Sequence, residues 1–275
     1  MYIYIFSTMN IIFLFSGQSR TFPFSHKRNS NHIQILERYN KFIFTEKFKS
    51  MYKYKIYITT DDIELQDTIS YFGSNNIGNI HLLNTNYYKK NVNIQSKNIK
   101  TYLDKYNVNV DWSNGYAKYD NSIHQHYKIM DCYNLFINDS DSDINITNCD
   151  FIIRLRLDLE FTTDILDILE HFKINPKLEI IVDWDFLAIG KPKIMECYCN
   201  GLNNNYGKYK YLTPVPDVPP IMGDYNIIDK YIWTYAPERQ LFEMLFEYCN
   251  KNNIDMNDVI KQVVGWCKHV CEART

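Results

Sequence analysis

The stretch from Phe151 to Phe161 constrains the fold of this chain more than any other. Positions 151, 153, 155, 157, 159 and 161 are all apolar, and positions 154, 156, 158 and 160 are Arg, Arg, Asp and Glu. Successive side chains of an extended backbone point to opposite faces, so this period predicts one long strand with a core face and a charged face. Immediately after it, Thr163 is placed to cap a helix whose apolar residues Ile165, Leu166, Ile168, Leu169 and Phe172 make a single face. A strand that runs straight into an amphipathic helix is the building unit of a layered α/β sheet.

The same alternation of signals recurs along the chain. Asn10 to Phe15 reads as a buried strand that enters the polar turn Ser16-Gly17-Gln18-Ser19-Arg20, and a helical stretch spans Asn31 to Phe44. Lys53 to Thr59 sets Tyr54, Ile56 and Ile58 against Lys53, Lys55 and Tyr57, then stops at Thr60-Asp61-Asp62, which caps the next element. Ile80 to Leu83 and Leu178 to Val182 read as further strands. Helical spacing returns at Ile129, Met130, Tyr133, Phe136 and Ile137, with Gln125, Lys128 and Cys132 on another stripe, and a helix-like stretch contains Met195. Pro237 opens an amphipathic helix that runs through Cys249. The segments Asn84 to Tyr119 and Asn200 to Asp224 carry no clean period and read as long irregular connections. With no internal repeat and no domain boundary, the expectation is a single domain over residues 1–275, with Met1 to Thr8 a dispensable extension.

Composition removes several classes of function. A hydrophobic fraction of 45% with 23% charged residues excludes wholesale disorder. Nine Gly and eight Pro are few for an all-β protein built from tight turns. Thirty Lys and Arg against 32 Asp and Glu leave a formal charge of -2, so no global field attracts nucleic acid or an anionic membrane. Any anion site must therefore be local. The odd count of seven Cys does not suit a small disulfide scaffold, which places the chain in a reducing compartment, the cytoplasm. Cys197-Tyr-Cys199 and Cys267-Lys-His-Val-Cys271 lack the paired spacing of a structural zinc site. The apolar start from Met1 to Phe15 has no basic flank or small-residue cleavage site and is too short for a bilayer, so no stable membrane insertion is expected.

Three constellations carry candidate chemistry. Gly17, Gln18 and Arg20 follow the carboxyl end of the first strand, where ligands of open α/β sheets bind. Gly lets backbone N–H groups approach a phosphate, and Arg adds bidentate, permanently charged contacts. A plain turn with a surface Arg is the alternative. Arg154, Arg156 and Asp158 lie on one face of the expected strand and would supply cations for a diphosphate and an oxygen ligand for Mg²⁺ or Mn²⁺, or else form a solvated ion-pair ladder. Asp183 and Asp185, two apart on an extended segment, would point the same way and hold a cation or a sugar hydroxyl, or simply cap the loop.

Taken in order, these blocks resemble a family. The strand ending in Ser-Gly-Gln-Ser-Arg20, the helix with Gln125-x-x-Lys128, the segment Asp150 to Phe161, Asp185-Phe-Leu-Ala-Ile-Gly190 with Met195 and Tyr198, and Pro237-Glu238 with Leu241 resemble a poorly characterised group of GT-A-like glycosyltransferases of surface-polysaccharide synthesis. That group carries Arg-x-Arg-Pro-Asp-Leu where other GT-A enzymes carry Asp-x-Asp, and Leu157 stands here in place of the Pro. The resemblance implies a Rossmann-like central mixed sheet with helices on both faces, a nucleotide-sugar donor, and a glycan or protein acceptor. It implies Mn²⁺ or Mg²⁺ at Asp158, with donor contacts from Gly17, Gln18, Arg20, Gln125, Lys128, Arg154 and Arg156. Asp185 and Glu238 are the candidate bases. The two arginines could also neutralise a diphosphate without an ion. Together with A+T-rich composition, the resemblance suggests a large DNA virus as host of the gene. A non-catalytic carbohydrate- or protein-binding relative and a nucleotidyltransferase are the alternative functions.

Overall fold

The computed structural model describes residues 9–17, 22–26, 32–83, 119–200 and 237–269. Its centre is a seven-stranded mixed sheet of order β3-β2-β1-β4-β7-β6-β8. The strands are β1 Met9–Ser16, β2 Tyr52–Thr60, β3 Ile77–Leu82, β4 Phe151–Leu155, β6 Ile180–Asp183, β7 Leu187–Gly190 and β8 Ile260–Gln262. A second, two-stranded sheet pairs β5 Leu159–Phe161 with β9 Cys267–His269. Helices α1 His32–Phe42, α2 Glu46–Met51, α3 Leu65–Phe72 and α5 Ile165–Ile174 pack on one side. Helices α4 Tyr119–Ile137, α6 Pro192–Asn200 and α7 Pro237–Lys251 pack on the other, and α8 Met256–Val259 leads into β8. Among the described residues no helix is long and apolar enough to cross a membrane.

β1 pairs in parallel with β2 on one edge and β4 on the other, and a core cluster covers each of its two faces. That is why Ile11 to Phe15 is a continuous apolar run with no alternation and no exposure. Its odd residues Ile11, Phe13 and Phe15 enter a core in which Phe13 packs against Phe44, Phe48 and Tyr54. Its even residues Ile12 and Leu14 face Ile129, Cys132 and Phe136 of α4. The chain steps outward from β1 through β2 to β3, then returns to lay β4 along the opposite edge of β1. Between β1 and β4 the strand order reverses, which opens a crevice at their carboxyl ends.

Several expectations are corrected here. The eleven-residue period is not one strand. β4 ends at Leu155, where its partner register with β1 and β7 stops, Arg156 to Asp158 turn, and Leu159 to Phe161 join the second sheet. The alternation survives the turn as burial, because Leu155, Leu157, Leu159 and Phe161 have no exposure. Thr163 does not cap α5; Asp164 does, accepting from the Leu166 N–H at 2.8 Å. Thr60-Asp61-Asp62 does not cap α3 either, since Glu64 stands at its N-cap without a side-chain bond and Asp62 accepts from Ser25 Oγ at 2.5 Å. Strands β7, β8 and β9 carry no periodic signal long enough to read from the sequence.

One close approach in this sheet is testable. A Cβ placed on Gly78 would lie 2.4 Å from ring carbons of Tyr57. That ring is buried and its hydroxyl donates to Asp139 at 2.8 Å, so it has nowhere to move. Gly78→Ala is expected to destabilise by about 1–3 kcal/mol through overpacking, read as a lowered urea midpoint.

Candidate functional site

Polar side chains cross the crevice in one row. Thr59 is paired in register with Ser16 on one side and His81 on the other, and Leu14 with Arg154. Parallel neighbours in register share a face, and α4 lies over it. Three α4 residues spaced one turn apart, along about 9 Å of helix, fasten this edge. Gln125 Nε2 donates to Asp185 Oδ2 at 2.6 Å, and Lys128 Nζ donates to the Gly17 carbonyl at 3.3 Å. Asp131 Oδ2 lies 2.5 Å from His81 Nδ1 and accepts from Thr59 Oγ1 at 3.3 Å.

The two arginines, two residues apart, have opposite fates. Arg154, inside β4, is fully buried; its Nε donates to Ser16 Oγ at 3.3 Å and its Nη1 to the Asp185 carbonyl. Arg156, past the strand end, is partly exposed. Its Nε and Nη2 donate to the two oxygens of Asp158 at 3.0 and 2.8 Å, and its Nη1 to Asp185 Oδ2 at 2.8 Å. The guanidinium carbon sits 5.3 Å from the centre of the Phe186 ring. Burial works against its charge, but Asp158 and Asp185 outweigh that, so Arg156 is held charged more firmly than an ordinary arginine.

Gly17, with φ of 152°, lies against the turn that presents Asp158, because a Cβ there would sit 3.6 Å from the Leu157 nitrogen. Gly17, Gln125, Lys128, Arg154, Arg156, Asp158 and Asp185 are thus linked around one edge. Gln18 and Arg20 lie outside the described residues. Glu238 falls in the first turn of α7, and its side chain lies outside the described set. Asp183 does not pair with Asp185 as expected. Trp184 between them has φ of 49°, which turns the backbone, and Asp183 Oδ2 instead accepts from the Cys267 N–H at 2.9 Å. Burial raises the Asp183 pKa from its ordinary value, and backbone N–H groups of Cys267, Trp266 and Gly265 oppose that rise.

Sequence reasoning passed over His126, His81 and Asp131. Asp131 stands three residues after Lys128, and that spacing was its one available signal. His126 adjoins Gln125 but turns inward. It is buried, with its pKa lowered to about 4, first by loss of solvent and then by the charge of Arg154. Among the described residues, His126 Nε2, Tyr198 Oη, Arg154 Nη2 and Asp185 Oδ1 are buried without a hydrogen-bond partner.

Among the described residues no group of three or more His, Cys, Asp or Glu is placed to hold an ion. Both oxygens of Asp158, the expected ligand, accept from Arg156. Lys128, Arg154 and Arg156 share this edge with Asp131, Asp158 and Asp185, and Asp158 and Asp185 fix the Arg156 guanidinium.

No family model matches the chain, and no curated protein matches it by sequence. Among solved structures, the apo crystal structure of mouse xyloside xylosyltransferase 1 is similar, with a TM-score of 0.38 and 8% identity over 93% of this chain and 84% of that one. A likeness of that size is weak, and the α/β assignment rests on the strand order and pairing themselves.

Proposed function

We propose that this protein is a glycosyltransferase that moves a sugar from a nucleoside diphosphate to an acceptor hydroxyl on a glycan or protein. The observation that supports it is the Arg154–Arg156–Asp158–Asp185 network at the carboxyl ends of β1 and β4, where the strand order reverses. When the sugar leaves, negative charge grows on the diphosphate, and cations already in position lower the barrier without reorganising. Arg156 and Lys128 are the proposed contacts, with Gly17, Gln18 and Arg20 contributing from the turn after β1 and Gln125 holding Asp185 in place. Arg154 lies beneath, fixing Ser16 and the Asp185 backbone. The acceptor hydroxyl must lose its proton, and Asp185 and Glu238 are the proposed bases. A cytoplasmic setting belongs to the same reading. Mn²⁺ or Mg²⁺ at Asp158 would have to share the carboxylate oxygens that accept from Arg156.

The test is a panel of nucleotide sugars incubated with the full chain and followed for free nucleoside diphosphate. Release from one donor is expected, and Asp185→Asn should slow it about a hundredfold. Release unaltered by Asp185→Asn would move the base to Glu238, checked by Glu238→Gln. Intact binding without turnover would favour the non-catalytic alternative, and release of inorganic pyrophosphate in a parallel incubation with nucleoside triphosphates and a sugar 1-phosphate would favour a nucleotidyltransferase.

A further inference from the structure

We propose that Arg156 stands where a divalent ion would otherwise be needed: its guanidinium, clamped by Asp158 and Asp185, is the fixed cation that binds the diphosphate, and binding is independent of metal. This rests on the diphosphate reading above. A guanidinium has five N–H donors. Three of them reach Asp158 and Asp185, one each from Nε, Nη1 and Nη2. The second N–H of each terminal nitrogen is left over to donate to phosphate oxygens, and the side chain is 20% exposed. The Phe186 ring lies 5.3 Å from the guanidinium carbon, within cation–π reach.

An ion at Asp158 would share carboxylate oxygens that already accept from the guanidinium, which sets two cations against one carboxylate. The arginine needs no ligand beyond those already bonded to it, whereas an oxygen-ligated ion would fill most of its positions with water and phosphate oxygens. Lys128, at the Gly17 carbonyl, faces the same crevice as a second cation.

Titration calorimetry with UDP and GDP on the full chain, once in chelator and once in Mn²⁺, separates the cases. The expected result is the same affinity for the bound nucleotide, within about threefold, in both buffers. Arg156→Ala should weaken binding in chelator about a hundredfold, and Arg156→Lys, which keeps the charge but loses the guanidinium's donors, about tenfold. The lysine variant preserves a partner for Asp158 and Asp185, so it reports even where the alanine variant fails to fold. A tenfold or greater gain in affinity from Mn²⁺ overturns the inference. So does stoichiometric binding of Mn²⁺ alone, seen by electron paramagnetic resonance and abolished in Asp158→Asn. Either result leaves the diphosphate reading standing. Absence of binding by both nucleotides in both buffers overturns that reading itself, and the inference with it.

Discussion

Arg154→Ala is expected to destabilise the protein by about 2–5 kcal/mol, the range for emptying a large core site, with two buried acceptors left without their donor. The guanidinium is the largest fully buried side chain in the molecule's described core. Its loss leaves Ser16 Oγ and the Asp185 carbonyl without their donor, opens a cavity between β1, β4 and α4, and removes one of the two cations near the buried Asp185 carboxylate. Arg154→Met restores much of the volume and none of the donors, so it should recover about 1–2 kcal/mol of the loss. Urea unfolding reads both, as a lower midpoint at constant slope. A shift below about 1 kcal/mol in the alanine variant would show that Arg154 does not hold the site together.

Folding stability is also expected to fall steeply as pH is lowered from 6.5 to 4, because of His126. Its folded pKa is lowered to about 4 from the ordinary 6.5. Between those values the unfolded chain binds a proton that the native state refuses, so stability rises with pH across this window and is lost as pH falls through it. Over the full window the loss approaches about 3 kcal/mol, at 1.36 kcal/mol per unit. Burial is the main cause and the neighbouring Arg154 charge the second, and the attraction of Asp185 works the other way. Asp183, whose pKa is raised, contributes with the opposite sign above its ordinary value, so the measurement is the difference between wild type and His126→Leu. The leucine variant should lose the slope between pH 6.5 and 4. Equal slopes in the two proteins would mean that His126 takes up its proton freely in the folded state.

The elements that repeat a period were legible. β1, β2 and helices α4, α5 and α7 stand close to where their apolar spacing places them, because each pattern is long enough to distinguish a face. The short strands β7, β8 and β9 were not, since three or four residues have no period and exist only through their partners. The candidate site is legible as a set of residues that lie together and not as an arrangement. Gly17, Gln125, Lys128, Arg156, Asp158 and Asp185 were named and meet, whereas His81 and Asp131 become a pair only when α4 is laid across β2 and β3.

By itself the sequence determined the alternation of strands and helices and the row of charges between Leu155 and Phe161, because side-chain direction along an extended chain is a local property. What each charge does was decided in three dimensions. Arg154 and Arg156 occupy equivalent places in the period, but β4 is paired on both edges up to Leu155 and the chain turns away beyond it, so one guanidinium is sealed in the core and the other is partly exposed. Asp183 and Asp185 were equivalent in the same way until Trp184 took a left-handed turn, sending one carboxylate to the backbone of Cys267 and the other to Arg156. Where a strand stops and which way a turn folds depend on non-local pairing, which no local period encodes.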